Sequence, residues 1–194
     1  MIKGTQQQLD ALRHARIFLQ DLDTGNVGGT DAADDCVLAF LNAATVVNGP
    51  SPFIVTNAVN AATGSVIGVT RRGLYGCELN LDLAAHADTT ILGAIIKNAT
   101  AAQRNADPTV GIADEPTVFA FGHKIFPAAA AVAGSLFLSC VIPISQAEAS
   151  VAGGALIRFI ATNDNNTHPS TNAIPAASTD RCYARVTYLG DSLG

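Results

Sequence analysis

Tryptophan is absent, lysine occurs three times, methionine once, and charged residues make up only 14% of the 194 positions. Each shortage excludes something. Nucleic-acid affinity rests on clustered Lys and Arg, and a chain of formal net charge -5 whose only basic doublet is Arg71-Arg72 has no such cluster. That doublet reads as a solvated turn before a strand or as half of an ion pair. Sugar sites stack their ligands on aromatic platforms, for which three Tyr and no Trp are poor equipment. Cys36, Cys77, Cys140 and Cys182 include no C-x-x-C pair, which excludes zinc-ribbon and thioredoxin-like motifs. The histidines His14, His86, His123 and His168 are scattered, with no zinc-type pairing. No metal or cofactor is therefore expected.

Long apolar runs are missing too. The nearest approach, residues 126–144, is broken by Pro127, Gly134 and Pro143, so no membrane span is expected. Met1-Ile2-Lys3-Gly4-Thr5 leads into a Gln run instead of a basic segment followed by an apolar one, and the expectation is synthesis in a cytoplasm. The cysteines are then expected to be free, buried small hydrophobes, with a disulfide between neighbouring strands left open but disfavoured.

What the chain does have is apolar, β-branched sequence between soft Ala, Asn, Thr and Gly turns. Hydrophobic residues reach 48%. A surface so poor in charge costs little to dehydrate and suits packing against a partner. Strand candidates run over residues 53–59, 65–70, 74–83, 90–98, 117–126, 134–144, 155–162 and 181–189, separated by turn signals. Alternation is plain in Cys77-Glu78-Leu79-Asn80-Leu81-Asp82-Leu83. The stretch 134–144 is almost continuously apolar and is expected to be a central strand covered on both faces. A mainly β, jelly-roll-like two-sheet sandwich over residues 50–194 follows.

Residues 1–49 read as an N-terminal arm with short helices. Thr5 with Gln8 forms a capping-box pattern, and Leu9, Leu12, Arg16 and Leu19 follow at helical spacing. A second helical piece is expected from about Thr30, with Val37, Leu38, Phe40 and Leu41 facing a core. The apolar stripe suggests Leu9, Leu12 and Leu19 as partner-binding residues. Two long loops, 99–115 and 163–180, are candidates for contacts.

Two strings invite a chemical reading. Gly190-Asp191-Ser192-Leu193 resembles the signature of GDSL esterases, whose Ser is a nucleophile at a strand-to-helix turn with Asp and His far downstream. Two residues follow Ser192 here, so the string is expected to be idle and the chain to be no enzyme. Asp21-Leu22-Asp23-Thr24-Gly25-Asn26 departs from a calcium loop at its fifth, sixth and twelfth positions and reads as a polar turn.

In general character, with low Lys, few aromatics, much Ala, Thr, Gly and Asn, and an N-terminal arm, the chain resembles structural proteins of tailed-phage virions. That resemblance implies a capsid decoration or cement protein, bound to major capsid protein subunits as a homo-oligomer, with a trimer the specific expectation. It implies location in the virion and no dealings with nucleic acid or membrane. A capsid shell or tail-tube subunit is the structural alternative. A jelly-roll carbohydrate- or receptor-binding module is the alternative from another class.

Overall fold

The computed structural model describes residues 15–22, 40–46, 53–60, 64–86, 89–97, 118–126, 132–163 and 181–191. Burial with a period of two runs through them. Tyr75, Cys77, Leu79, Leu81 and Leu83 are fully buried, while the residues between them are partly exposed. Successive strand side chains point to opposite faces, so this pattern buries one face of a sheet and calls for a second sheet to cover it.

Strands β1 (Arg16–Leu22), β2 (Phe40–Val46), β5 (Gly73–His86), β8 (Val132–Ile144) and β10 (Tyr183–Gly190) form the first sheet, in the order β2-β1-β10-β5-β8. Strands β3 (Ile54–Asn60), β4 (Gly64–Val69), β6 (Thr89–Lys97), β7 (Val118–Phe126) and β9 (Ala155–Asn163) form the second, in the order β3-β4-β9-β6-β7. Every pairing is antiparallel. After each of the in-sheet pairs β1–β2, β3–β4 and β6–β7 the chain crosses to the other sheet, and β8, β9 and β10 alternate between the two, which makes this mainly β protein a jelly-roll-like sandwich. Between the sheets lies one core, with Tyr75, Phe159, Ile17, Leu19, Ile54, Ile67, Leu79 and Leu81 as its largest fully buried side chains.

All eight expected strands are present, with ends shifted by up to three residues. Three expectations give way. The first concerns the N-terminal helix: residues 16–22 are strand β1, seated between β2 and β10. Ala15, Ile17 and Leu19 are buried, while Arg16 is exposed and Phe18 partly so. Residues two apart on a helix point to nearly opposite sides, so only a strand buries all three. Secondly, Phe40 and Leu41, expected on a helix, belong to β2, and the sandwich thus draws strands from before residue 50. Residues 1–14 and 23–39, with the rest of the expected helices, lie outside the described residues, as does most of both long loops.

Thirdly, residues 134–144 are not a central strand covered on both faces. Strand β8 is terminal in its sheet, and its outer face is exposed. Its inner side is tight. Gly93 and Gly122 are register partners on β6 and β7, and a Cβ on either would approach Leu136 or Leu138 of β8 to 2.7 or 2.6 Å. The glycine pair lets the two sheets close on those leucines at this flank. The single described helix is one turn, α1 (Gln146–Ala149), started by a capping box between Ser145 and Glu148. Lys97 reaches across to bond Glu148 at 2.7 Å and the Pro143 carbonyl at 3.0 Å, tying β6 to the end of β8.

Candidate functional site

Alternation decides which side chains of the first sheet reach its outer face. On β8 these are Ser135, Phe137, Ser139, Val141 and Pro143, all exposed. Register places Phe137 beside Asn80, Ser139 beside Glu78 and Val141 beside Gly76 on β5. On the far side of β5, Tyr183 aligns with Asn80 and Arg185 with Glu78. Leu189 of β10 lies over Gly76, where the missing side chain leaves room for it. The result is an apolar patch of Val141 and Leu189, then a polar row in which Arg185 pairs with Glu78, then Phe137. Phe18 stacks on Tyr183 at 5.2 Å to extend the face toward β1.

Large apolar side chains stand exposed on this face. Phe137 is 54% exposed, Val141 51% and Leu189 49%. On the second sheet, Phe121 and Ile125 of β7 are 43% and 63% exposed. Among the described strands, β7 and β8 stand last in their sheets. His123 is exposed on β7 between Phe121 and Ile125. Large exposed apolar patches are found at interaction sites and ligand grooves more often than elsewhere on a surface.

A second feature gathers polar groups at the end of the sandwich. Arg71 sits over the Phe53 and Tyr188 rings, its guanidinium carbon 5.7 and 5.4 Å from their centroids. Its Nε donates to the Tyr188 hydroxyl at 3.3 Å and its second nitrogen meets Asp191 at 3.5 Å. Tyr188 donates to Asp191 at 2.7 Å, and Tyr75 donates to the Arg71 carbonyl at 2.7 Å. Burial first, then the Asp191 hydrogen bond, pushes the Tyr188 phenol up. Burial pushes Tyr75 further in the same direction, and the Tyr188 hydrogen bond draws the Asp191 carboxyl down. Phenols held protonated and a carboxylate held charged are poor proton-transfer partners near neutrality. The shallow depression beside them, about 270 Å³, is lined by Thr70, Arg71, Arg72, Gln146 and Asp191.

The geometry makes this cluster a bracket that joins the ends of β5 and β10 to the β3–β4 hairpin. Gly73 is required within it. Its φ is +148°, and a Cβ there would stand 2.5 Å from the Tyr188 ring and 2.6 Å from the Gly190 carbonyl. Asp191, the acid of the esterase-like string, is occupied by Tyr188 and Arg71, while Ser192 lies outside the described residues. Among the described residues, no three His, Cys, Asp or Glu side chains gather as a metal-binding group. No described helix is long and apolar enough to cross a membrane.

Of the partner-binding residues read from sequence, Leu9 and Leu12 lie outside the described residues. Leu19 is fully buried between the sheets and is corrected from a docking residue to a core residue. The surface residues Phe121, Ile125, Phe137, Val141 and Leu189 escaped sequence reasoning. One signal for two of them was present: Ser135 and Ser139 share their side of β8 with Phe137 and Val141, and two serines are unusual company in a fully covered strand.

No family model and no curated protein matches the chain. Among solved structures, a crystal structure of murine APRIL at pH 5.0 is similar with a TM-score of 0.53 and 13% identity, covering 91% of this chain and 99% of that one. Murine APRIL at pH 8.0 gives 0.51 and 12% with the same coverage. At such identity the likeness is one of fold, and the fold alone hosts many functions.

Proposed function

We propose that this chain is a structural subunit of a virus particle, a capsid decoration or cement protein that binds and stabilises the head shell of a tailed phage. It works as a homo-oligomer, with three copies the expected number, seated on major capsid protein subunits. The observation that carries this reading is the exposed apolar group Phe137, Val141 and Leu189 on the outer face of the first sheet, with Phe121 and Ile125 exposed on the second sheet as well. A free monomer gains nothing from such a surface. An assembled subunit gains burial, and symmetry multiplies modest contacts into a firm attachment.

The low overall charge supports the same reading, since interface centres are depleted in charged groups. The test has two parts. Sedimentation of the full chain at micromolar concentration is expected to show a trimer instead of the 19.9 kDa monomer. Electron microscopy of purified particles is expected to show sandwich-shaped density at regular positions on the shell. A monomer that leaves shells bare overturns the proposal, and density within the shell wall or tail tube replaces it with a shell or tube subunit.

A further inference from the structure

Cys77 on β5 and Cys140 on β8 are direct register partners. Opposed residues in an antiparallel ladder hold their Cα atoms about 4.5 or 5.5 Å apart and send their side chains to the same face. A disulfide spans Cα separations of about 4.4 to 6.8 Å, so either kind of pair can be bridged without moving a strand. Both side chains point into the sandwich, Cys77 fully buried and Cys140 half-buried. Neither is bridged, and the Cys77 thiol donates to the Tyr75 carbonyl at 3.9 Å. Cys182 has no cysteine as a register partner and meets the backbone of Asp82, at 3.3 Å from its nitrogen and 3.7 Å from its carbonyl.

We propose that Cys77 and Cys140 are a redox-modification site, a cross-strand thiol pair that a low-molecular-weight disulfide converts into an intramolecular bond. The position of β8 supplies the access. It is the last described strand of its sheet, and Cys140 on its inner side is only half-buried, whereas Cys77 is fully buried. The neighbouring Cys77 thiol draws the Cys140 thiol down, and Cys140 together with burial pushes Cys77 up. Cys140 is accordingly the attacking group and Cys77 the resolving one.

The Cys140 thiolate attacks one sulfur of the small disulfide, forming a mixed disulfide and expelling one small thiolate, which takes up the proton Cys140 lost. Cys77 then gives up its proton and attacks the Cys140 sulfur, expelling the second small thiolate, which takes up that proton. Two protein thiols are oxidised to one disulfide, and one small disulfide is reduced to two thiols.

The sequence makes the test clean, because trypsin places the four cysteines on four peptides: 17–71, 73–97, 125–158 and 182–185. The reduced full chain is treated in native buffer with oxidised glutathione, alkylated, digested without reduction and weighed. Peptides 73–97 and 125–158 are expected as one species, lighter by two hydrogens than their sum. The variant Cys77→Ser is expected to accumulate glutathione on Cys140. Separate alkylation of both peptides, or linkage of either to the peptides of Cys36 or Cys182, overturns the proposal. If the variant does not fold, the map of the unaltered chain decides alone.

Discussion

Adjacent residues on β8 should fail in opposite ways. Phe137 points outward and is 54% exposed, whereas Leu138 points inward, is 7% exposed and fills the space left by the glycine pair on β6 and β7. Replacing Phe137 by Ser removes about 110 Å² of exposed ring, which at ~25 cal/mol per Å² is about 3 kcal/mol if that ring is covered in the oligomer. Self-association should weaken about 100-fold per contact, while the unfolding midpoint of the isolated subunit hardly moves. Leu138→Ala should do the reverse and cost about 2 to 5 kcal/mol of folding stability. Analytical ultracentrifugation over a concentration series, paired with urea unfolding, reads both quantities. Should Phe137→Ser destabilise the subunit as much as Leu138→Ala, or leave the association constant untouched, the assignment of the outer face as an interface is refuted.

Other sites give further expectations. Gly73→Ala forces a Cβ against the Tyr188 ring and the Gly190 carbonyl at a positive φ, so it should lower stability by about 2 to 4 kcal/mol in a denaturant titration. Burial alone raises the Glu148 carboxyl, but hydrogen bonds from Lys97 and Ser145 outweigh it and leave it at about 2. A depressed folded pKa contributes stability above the unfolded value, and that contribution is lost as pH falls from about 4.5 toward 2. The contribution is ~1 kcal/mol after solvent screening, so Lys97→Met should flatten the acid limb of the stability curve. Deleting residues 1–24 removes β1 with the fully buried Ile17 and Leu19, and should abolish the cooperative unfolding transition seen by circular dichroism instead of merely loosening assembly.

Legibility differed among the elements for identifiable reasons. The segment 74–83 declares itself because Glu78, Asn80 and Asp82 alternate with large apolar residues, and nothing but a half-buried strand suits that order. Residues 9–19 are ambiguous. Leu9, Leu12, Arg16 and Leu19 fit a helical stripe, yet Ile17 and Leu19 fit a strand, and the choice rests with β10, whose Val186 and Ala184 stand opposite them. The bracket around Arg71 was half visible. A salt bridge was a natural reading of the basic doublet, but its acid lies 120 residues away. For the candidate surface, the signal in β8 pointed both ways, because a strand rich in apolar residues is either covered twice or built to be covered by another molecule.

Period-two alternation, turn residues and a 14% charge content are properties of neighbouring positions, and they sufficed to establish a mainly β sandwich and the spans of its eight later strands. Tertiary structure decided the rest. Strand order is a matter of pairing between residues far apart in the chain, such as Cys77 with Cys140 or Arg16 with Thr187, and no local pattern encodes it. That order put β7 and β8 last among the described strands of their sheets and made two distant cysteines neighbours.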